Sequence, residues 1–577
     1  MAEYDAIVAG SGPNGLAAAL RLAEAGWSVC VLEASDWIGG AAATIESTLP
    51  GFKHDFGAAF FPMAAISPAL GDRDLAPYGL RLLHAPLAAA HPFPGNRAVA
   101  LGGDVEETAA SLDKAHLGDG AAWIDLDRDY GDALEAFLRA QMVRWPLAEA
   151  LRLAGALGVL PIGGSRGHHG TGSGSFRPRD RAPRTPPVGR ATGFARMLLQ
   201  GAATVAERFE SDEARAFLVG PAMHADLEPE MPGSGVYALV LGLLGQRYGM
   251  PVAEGGSGAV SAALAARFRE LGGTILTGQR IDRIVVEGGR VLGVEAGDAA
   301  FAAGRAVVAA LDPRQVIALA GPDVFPVGAV AQIRSFRPGL GTFKVDWALD
   351  GPVPWSAEEC RRAAVVHVGD TVTAMSRAAW EASHGLLPAR PTLILGQQSL
   401  ADPSRAPAGK HTLWGYAHVP AQPSGDGARP RARGDWERSA EPFLDRVEAA
   451  IEAHAPGFRE LVLARKVWTP ADLEAADANL TGGDIAGGSF AVDQQLIFRP
   501  GPSWWRWGTP VKGLYLASAA VPPGAGVHGA CGDQAALQAL ADQRRPRLLA
   551  TGAAAGAALL MARSARSRSR RRRASKP

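Results

Sequence analysis

Tyr4-Asp-Ala-Ile-Val-Ala-Gly10-Ser-Gly12-Pro-Asn-Gly15, followed by a Leu- and Ala-rich stretch to Gly26 and then Trp27-Ser-Val-Cys-Val-Leu32-Glu33, decides the fold. Residues 4–9 read as a strand buried on both faces, as in a parallel sheet. Leu16, Leu20 and Leu22 recur at helical spacing, and Gly26 stops the helix. Residues 27–32 read as a second strand that ends at an acid. In this strand–turn–helix–strand unit each glycine has a task. Gly10 allows the tight turn, Gly12 lets backbone approach a pyrophosphate, and Gly15 lets helix and strand close on each other. The helix start offers free N–H groups and positive potential to phosphate. Glu33, 18 residues past Gly15, suits a ribose hydroxyl and argues against a 2′-phosphate, so NADP fits poorly. The unit predicts an α/β Rossmann-type domain that holds a dinucleotide, but by itself it does not separate NAD from FAD.

The residues that follow narrow the choice. A second loop, Trp37-Ile-Gly39-Gly40-Ala41, comes just after the second strand and could close over a long dinucleotide; Gly51-Phe-Lys-His-Asp-Phe-Gly57 comes next. Residues 8–57 resemble the phytoene desaturase-like branch of the FAD-dependent amine oxidase and carotenoid desaturase superfamily. Further blocks resemble it at residues 251–264, 278–284, 307–313, 479–488 and 513–536. The resemblance implies an FAD-dependent oxidoreductase. Cofactor contacts are expected at Gly10, Ser11, Gly12, Asn14, Gly15, Glu33, Ala34, Gly39, Gly40, Ala41, Ile281, Ser518, Gly526, Val527 and His528. Ala41 departs from the family's usual Gly-Gly-Arg, and Ala517-Ser518 replaces a common Gly-Ala or Gly-Asp. Both departures weaken a carotenoid desaturase more than they weaken FAD.

The last block can also be read from its residues alone. Leu514-Tyr-Leu-Ala517 is a short buried strand, Pro522-Pro-Gly-Ala-Gly526 a turn, and a small-residue helix is expected from about Val527 to Gln543. Its N-terminus would stabilise negative charge on a reduced flavin ring. His528 is the candidate catalytic residue, with packing as the alternative. Cys531, one turn on, reads as a packed residue rather than a reactive thiol. His224 and Asp226 are candidates for lining the substrate site, and Trp504, Trp505 and Trp507 for walling an apolar cavity. His168-His169 alone is too weak for a metal site, and none is expected.

The FAD-binding domain is expected to be discontinuous, built from residues 1–70, 245–320 and 476–545. A second, α+β substrate domain would comprise residues 71–244 and 321–475, with flexible insertions near 163–192 and 401–435, the latter on either side of a strand-like His411–Val419. Gly255-Gly-Ser-Gly258 lacks a preceding buried strand and reads as a helix start, so no separate NAD(P)H unit is expected. Electrons would then leave to oxygen, a quinone or another carrier. The expected chemistry is hydride transfer from a small apolar substrate to flavin. A carotenoid-type desaturase or isomerase, an amine oxidase, and a flavin-binding regulatory protein with little turnover stay open.

Lys and Arg together number 58, as do Asp and Glu, yet residues 563–577 hold eight of the basic ones and no acid. A basic tail, residues 546–577, thus follows a mildly acidic body. It reads as solvated chain or as a peripheral contact with anionic membrane; without interleaved aromatics, nucleic acid is not expected. The three cysteines, Cys30, Cys360 and Cys531, form no Cys-x-x-Cys pair, which suits a reducing compartment. With no signal-like N-terminus and no apolar run of about 18 residues, a cytoplasmic location is expected.

Overall fold

The computed structural model describes residues 2–143, 147–157, 159, 187–429 and 435–544. The basic tail, His168-His169 and most of the 163–192 insertion lie outside the described residues.

The fingerprint folds as read. Strand β1 (Ala2–Ala9) leads through the glycine turn into helix α1 (Pro13–Glu24) and then strand β2 (Val29–Leu32). β1 lies between two parallel neighbours, β2 on one side and the strand Ala299–Ala309 on the other. Ala6, Ile7, Val8 and Ala9 are fully buried, which is why the run is apolar without alternation. Thr274–Leu276 adds in parallel beyond β2, and Leu514–Leu516 pairs in parallel with the end of Ala299–Ala309. An antiparallel hairpin, Arg283–Glu287 and Arg290–Ala296, completes a seven-stranded sheet. Its two-residue turn has positive φ at both Gly288 and Gly289, which glycine adopts without strain. The sheet thus takes its strands from residues 2–32, 274–309 and 514–516.

A second seven-stranded sheet runs in the order 462–468, 341–349, 411–419, 393–396, 363–368, 87–93, 97–101. Its strands alternate between two buried faces. Leu413 and Ala417 turn toward helix Trp436–Glu452, while Trp414 and Tyr416 turn toward helices Asp212–Ala222 and Ser234–Tyr248. Within the expected insertion at 401–435, the strand-like stretch His411–Val419 is the third strand of this sheet, but the flank before it is not a solvated loop. Arg405, whose Pro- and Gly-rich setting suggested a solvated loop, is instead buried. Its guanidinium bonds Asp55 at 3.1 and 2.8 Å and Asp402 at 3.1 Å. Asp55 also accepts from the backbone N–H of Ser257, and Asp402 from that of Gly255. One buried charged network therefore ties the segment to the N-terminal half.

Candidate active site

The glycine turn has the geometry its residues required. A Cβ on Gly15 would lie 2.0 Å from the Gly10 carbonyl oxygen, so helix and turn close only on glycine. A Cβ on Gly12, by contrast, would meet nothing nearer than Gly39 O at 3.9 Å. A side chain at Gly12 would thus meet the protein only in ordinary contact, and the first turn of α1 has no side-chain cap. Gly39 and Gly40 fold over this turn: Gly39 N–H donates to Ser11 O at 3.2 Å, and a Cβ on Gly40 would come within 3.4 Å of Gly12 Cα. Ala41 lies behind them, against Gly57, where any Cβ would come 2.6 Å from Ala41 O.

Glu33, at the end of β2, is buried, and its carboxylate ties this corner together. It accepts from Ser11 N–H at 2.8 Å, from Ser11 Oγ–H at 2.7 Å and from Ser35 N–H at 2.9 Å. A carboxylate has about four acceptor positions, so one remains for a hydroxyl. Ala34 beside it is exposed, and Ile281 is half-buried in the extended segment before Arg283–Glu287. Gln279 N–H in that segment donates to Glu33 O.

The last block lies across the same turn. Its helix spans residues 530–544, starting three residues later than the sequence suggested, and crosses so close that a Cβ on Gly532 would be 1.7 Å from Asn14 O. One polar atom at this seam, Asn14 Oδ1, and one in the block itself, Ser518 Oγ, are buried without a hydrogen-bond partner. Buried polar atoms are normally paired. The uncapped helix start beside Gly12 and these two orphaned oxygens fit a bound dinucleotide, which Glu33, Gly12, Asn14 and Ser518 would hold.

His528 is fully buried at the start of this helix. Its Nδ1 accepts the backbone N–H of Ala530 at 3.1 Å, which leaves the proton on Nε2, facing Gly524 O at 3.2 Å. Burial pushes its pKa down to about 4. The ring is thus a neutral helix cap with both nitrogens engaged by backbone. Burial pushes the Cys531 thiol up to about 12, and the thiol hydrogen-bonds to Val521 O. Trp504 and Trp507 are core residues whose indole N–H groups donate to Ala329 O and Pro522 O; Trp505 is exposed.

Sequence reasoning linked His224 and Asp226 but missed the residues that join them. His224 Nε2 and His367 Nε2 share a hydrogen bond at 2.9 Å, Tyr416 Oη meets His224 Nδ1 at 3.1 Å, and His418 Nε2 donates to His224 O at 3.3 Å. Burial lowers the pKa values of His224, to about 3, and of His367 and His418. A small cavity adjoins this cluster, lined by Met223, Ala225, Asp226, Leu227, Leu340, Ala378, Ala379, Thr392 and His418. His418 Nδ1 is buried and unpartnered. Burial raises the Asp226 pKa, and Asp226 Oδ1 accepts from Phe490 N–H at 2.7 Å. Among the described residues no group of three or more His, Cys, Asp or Glu could hold a metal ion.

Residues 14–424 match the flavin containing amine oxidoreductase family. The chain belongs to that family. It is 29% identical to pyridine nucleotide-disulfide oxidoreductase domain-containing protein 2 of Rattus norvegicus, over 92% of this chain and 93% of the relative. It is 28% identical to the lycopene-forming phytoene desaturase of Pseudescherichia vulneris, over 51% and 56% of the two chains. An oxidoreductase structure from Methanosarcina mazei shares the fold at 16% identity, with a TM-score of 0.55 over 93% of this chain and 99% of that one. The chain is an FAD-dependent oxidoreductase. Among the described residues no helix is long and apolar enough to cross a membrane.

Proposed function

We propose that the protein dehydrogenates or desaturates an apolar substrate, which gives up hydride beside the 518–528 strip. The 28% identity to a phytoene desaturase over 51% of this chain carries this reading. The small cavity beside His418 adds an apolar wall of Met223, Ala225, Leu227, Leu340, Ala378 and Ala379, with Asp226, Thr392 and His418 as its polar groups. Bound FAD supplies the two-electron acceptor. The chain's own residues hold and shield it. Glu33 would hold a ribose hydroxyl, the Gly39-Gly40 loop would cover the pyrophosphate, and Ser518 would meet the flavin end. The neutral His224–His367–Tyr416 cluster keeps charge out of the substrate side. His418 Nδ1 is an acceptor for a single polar group on an otherwise apolar molecule.

Mixing the FAD-loaded protein anaerobically with lipophilic alkenes and alcohols, and separately with primary amines and diamines, tests it. Bleaching of the flavin band by the lipophilic set supports the proposal; bleaching by amines alone overturns it in favour of amine oxidation. Rapid bleaching by NADH would remove the further proposal that electrons leave to oxygen, a quinone or a carrier. Peripheral membrane contact by the basic tail is likewise proposed, and vesicle flotation with and without residues 546–577 tests it.

A further inference from the structure

Arg499 is 1% exposed, and among the described residues no carboxylate pairs with it directly. All of its hydrogen bonds go to backbone carbonyls. Nε donates to Ala519 O at 3.1 Å, Nη1 to Gly488 O and Ser489 O at 3.4 and 3.2 Å, and Nη2 to Ala486 O, Gly487 O and Ala519 O at 3.0, 3.1 and 2.9 Å. Asp484 is buried at 3% exposure and takes the opposite polarity of the same loop. It accepts from the N–H groups of Ala486 and Gly488 at 2.7 Å each, and of Gly339 at 2.8 Å. The loop 486–489 is therefore clamped by a cation on its carbonyl side and an anion on its N–H side.

The cation side is the one that meets the flavin strip. Ala519 adjoins Ser518, whose Oγ lacks a partner, and a Cβ on Gly524 would be 3.4 Å from Arg499 Nε. A charge this deeply buried is poorly screened, so its field reaches across a single layer of backbone. We propose that Arg499, opposed by Asp484, is a positioning residue that sets the reduction potential of the flavin from behind the 518–528 strip. The inference rests on the flavin lying along that strip. Reduction adds negative charge to the ring; Arg499 stabilises that charge, and Asp484 offsets part of the effect.

The test is the midpoint potential of the FAD-loaded protein, read by equilibration with a reference dye, in wild type and three variants. Arg499→Gln removes the charge and should lower the two-electron potential by about 30 mV or more, the equivalent of a tenfold change in equilibrium. Asp484→Asn removes the opposing charge and should raise it. Arg499→Lys keeps the charge but breaks the fork of hydrogen bonds, and should lose thermal stability while holding the potential near wild type. A purely structural clamp would give loaded variants that lose stability without these opposite shifts, and that result overturns the proposal. So does a shift of the same sign in Arg499→Gln and Asp484→Asn. If Arg499→Gln does not fold, the other two decide: the proposal fails unless Asp484→Asn rises while Arg499→Lys stays. FAD content, measured first, separates the two ideas. A wild type that takes up no FAD would remove the premise about the strip, whereas a loaded wild type with unmoved variants removes only the role of Arg499.

Discussion

Gly12 and Gly15 stand three residues apart in one turn, yet a methyl group acts on them in opposite ways. At Gly15 it collides with Gly10 O, so Gly15→Ala should cost the apoprotein about 3 kcal/mol, in the range of overpacked cores. At Gly12 it makes only an ordinary contact with Gly39 O at 3.9 Å, and the backbone there (φ −62°, ψ 170°) suits any residue. Gly12→Ala should leave apoprotein stability within about 0.5 kcal/mol and lower FAD affinity at least tenfold. Thermal unfolding of deflavinated protein and FAD titration measure the two effects separately. The pattern G-x-G-x-x-G marks both positions; only the packing shows that the chain itself requires glycine at Gly15 and not at Gly12.

At the scale of the element, the last helix begins on the ring of His528. His528 caps Ala530 and closes on Gly524. Asparagine also accepts from an N–H at a helix start, so His528→Asn should retain the cap, whereas His528→Ala should lose about 1–2 kcal/mol. With FAD content matched, the Asn variant should keep turnover; a loss of about a hundredfold or more would instead mark a general base. The second sheet gives the complementary case. The alternation in His411-Thr-Leu-Trp-Gly-Tyr-Ala-His-Val419 was legible as a strand, but not that both of its faces are covered. The Trp414 and Tyr416 face meets helices nearly two hundred residues upstream, which no local pattern records.

Across the whole molecule, buried charge and buried neutral imidazole set the response to mutation and pH. Breaking the Arg405–Asp55 pair on one side leaves an uncompensated carboxylate, so Arg405→Met should cost about 3–5 kcal/mol, and adding Asp55→Asn should recover part of it; a double-mutant cycle in urea reads both. His91, His224 and His528 are neutral when folded, with pKa values lowered from 6.5 to about 4, 3 and 4. Below pH 6.5 the unfolded chain binds protons that the native state refuses. Stability should therefore be level above about pH 7 and fall as pH drops toward 4, each imidazole contributing up to about 3 kcal/mol over that window. His91→Phe, which keeps the stacking on Phe93, should reduce the slope by up to about 1.4 kcal/mol per pH unit; an unchanged slope would show that His91 is not one of these groups.

By itself the sequence determined the dinucleotide fold, and the resemblance of its further blocks to a known family implied the cofactor class. Tight turns and close backbone approaches are short-range requirements, and glycine at fixed spacing states them directly. The Arg405–Asp55 and Arg499–Asp484 arrangements, the His224–His367–Tyr416 cluster and the capping role of His528 were decided only by the tertiary structure. Those residues are buried polar groups whose partners lie far along the chain or in carbonyls that any residue carries. What such a group does depends on what surrounds it, and in this protein the surroundings exist only once both sheets have closed around the site.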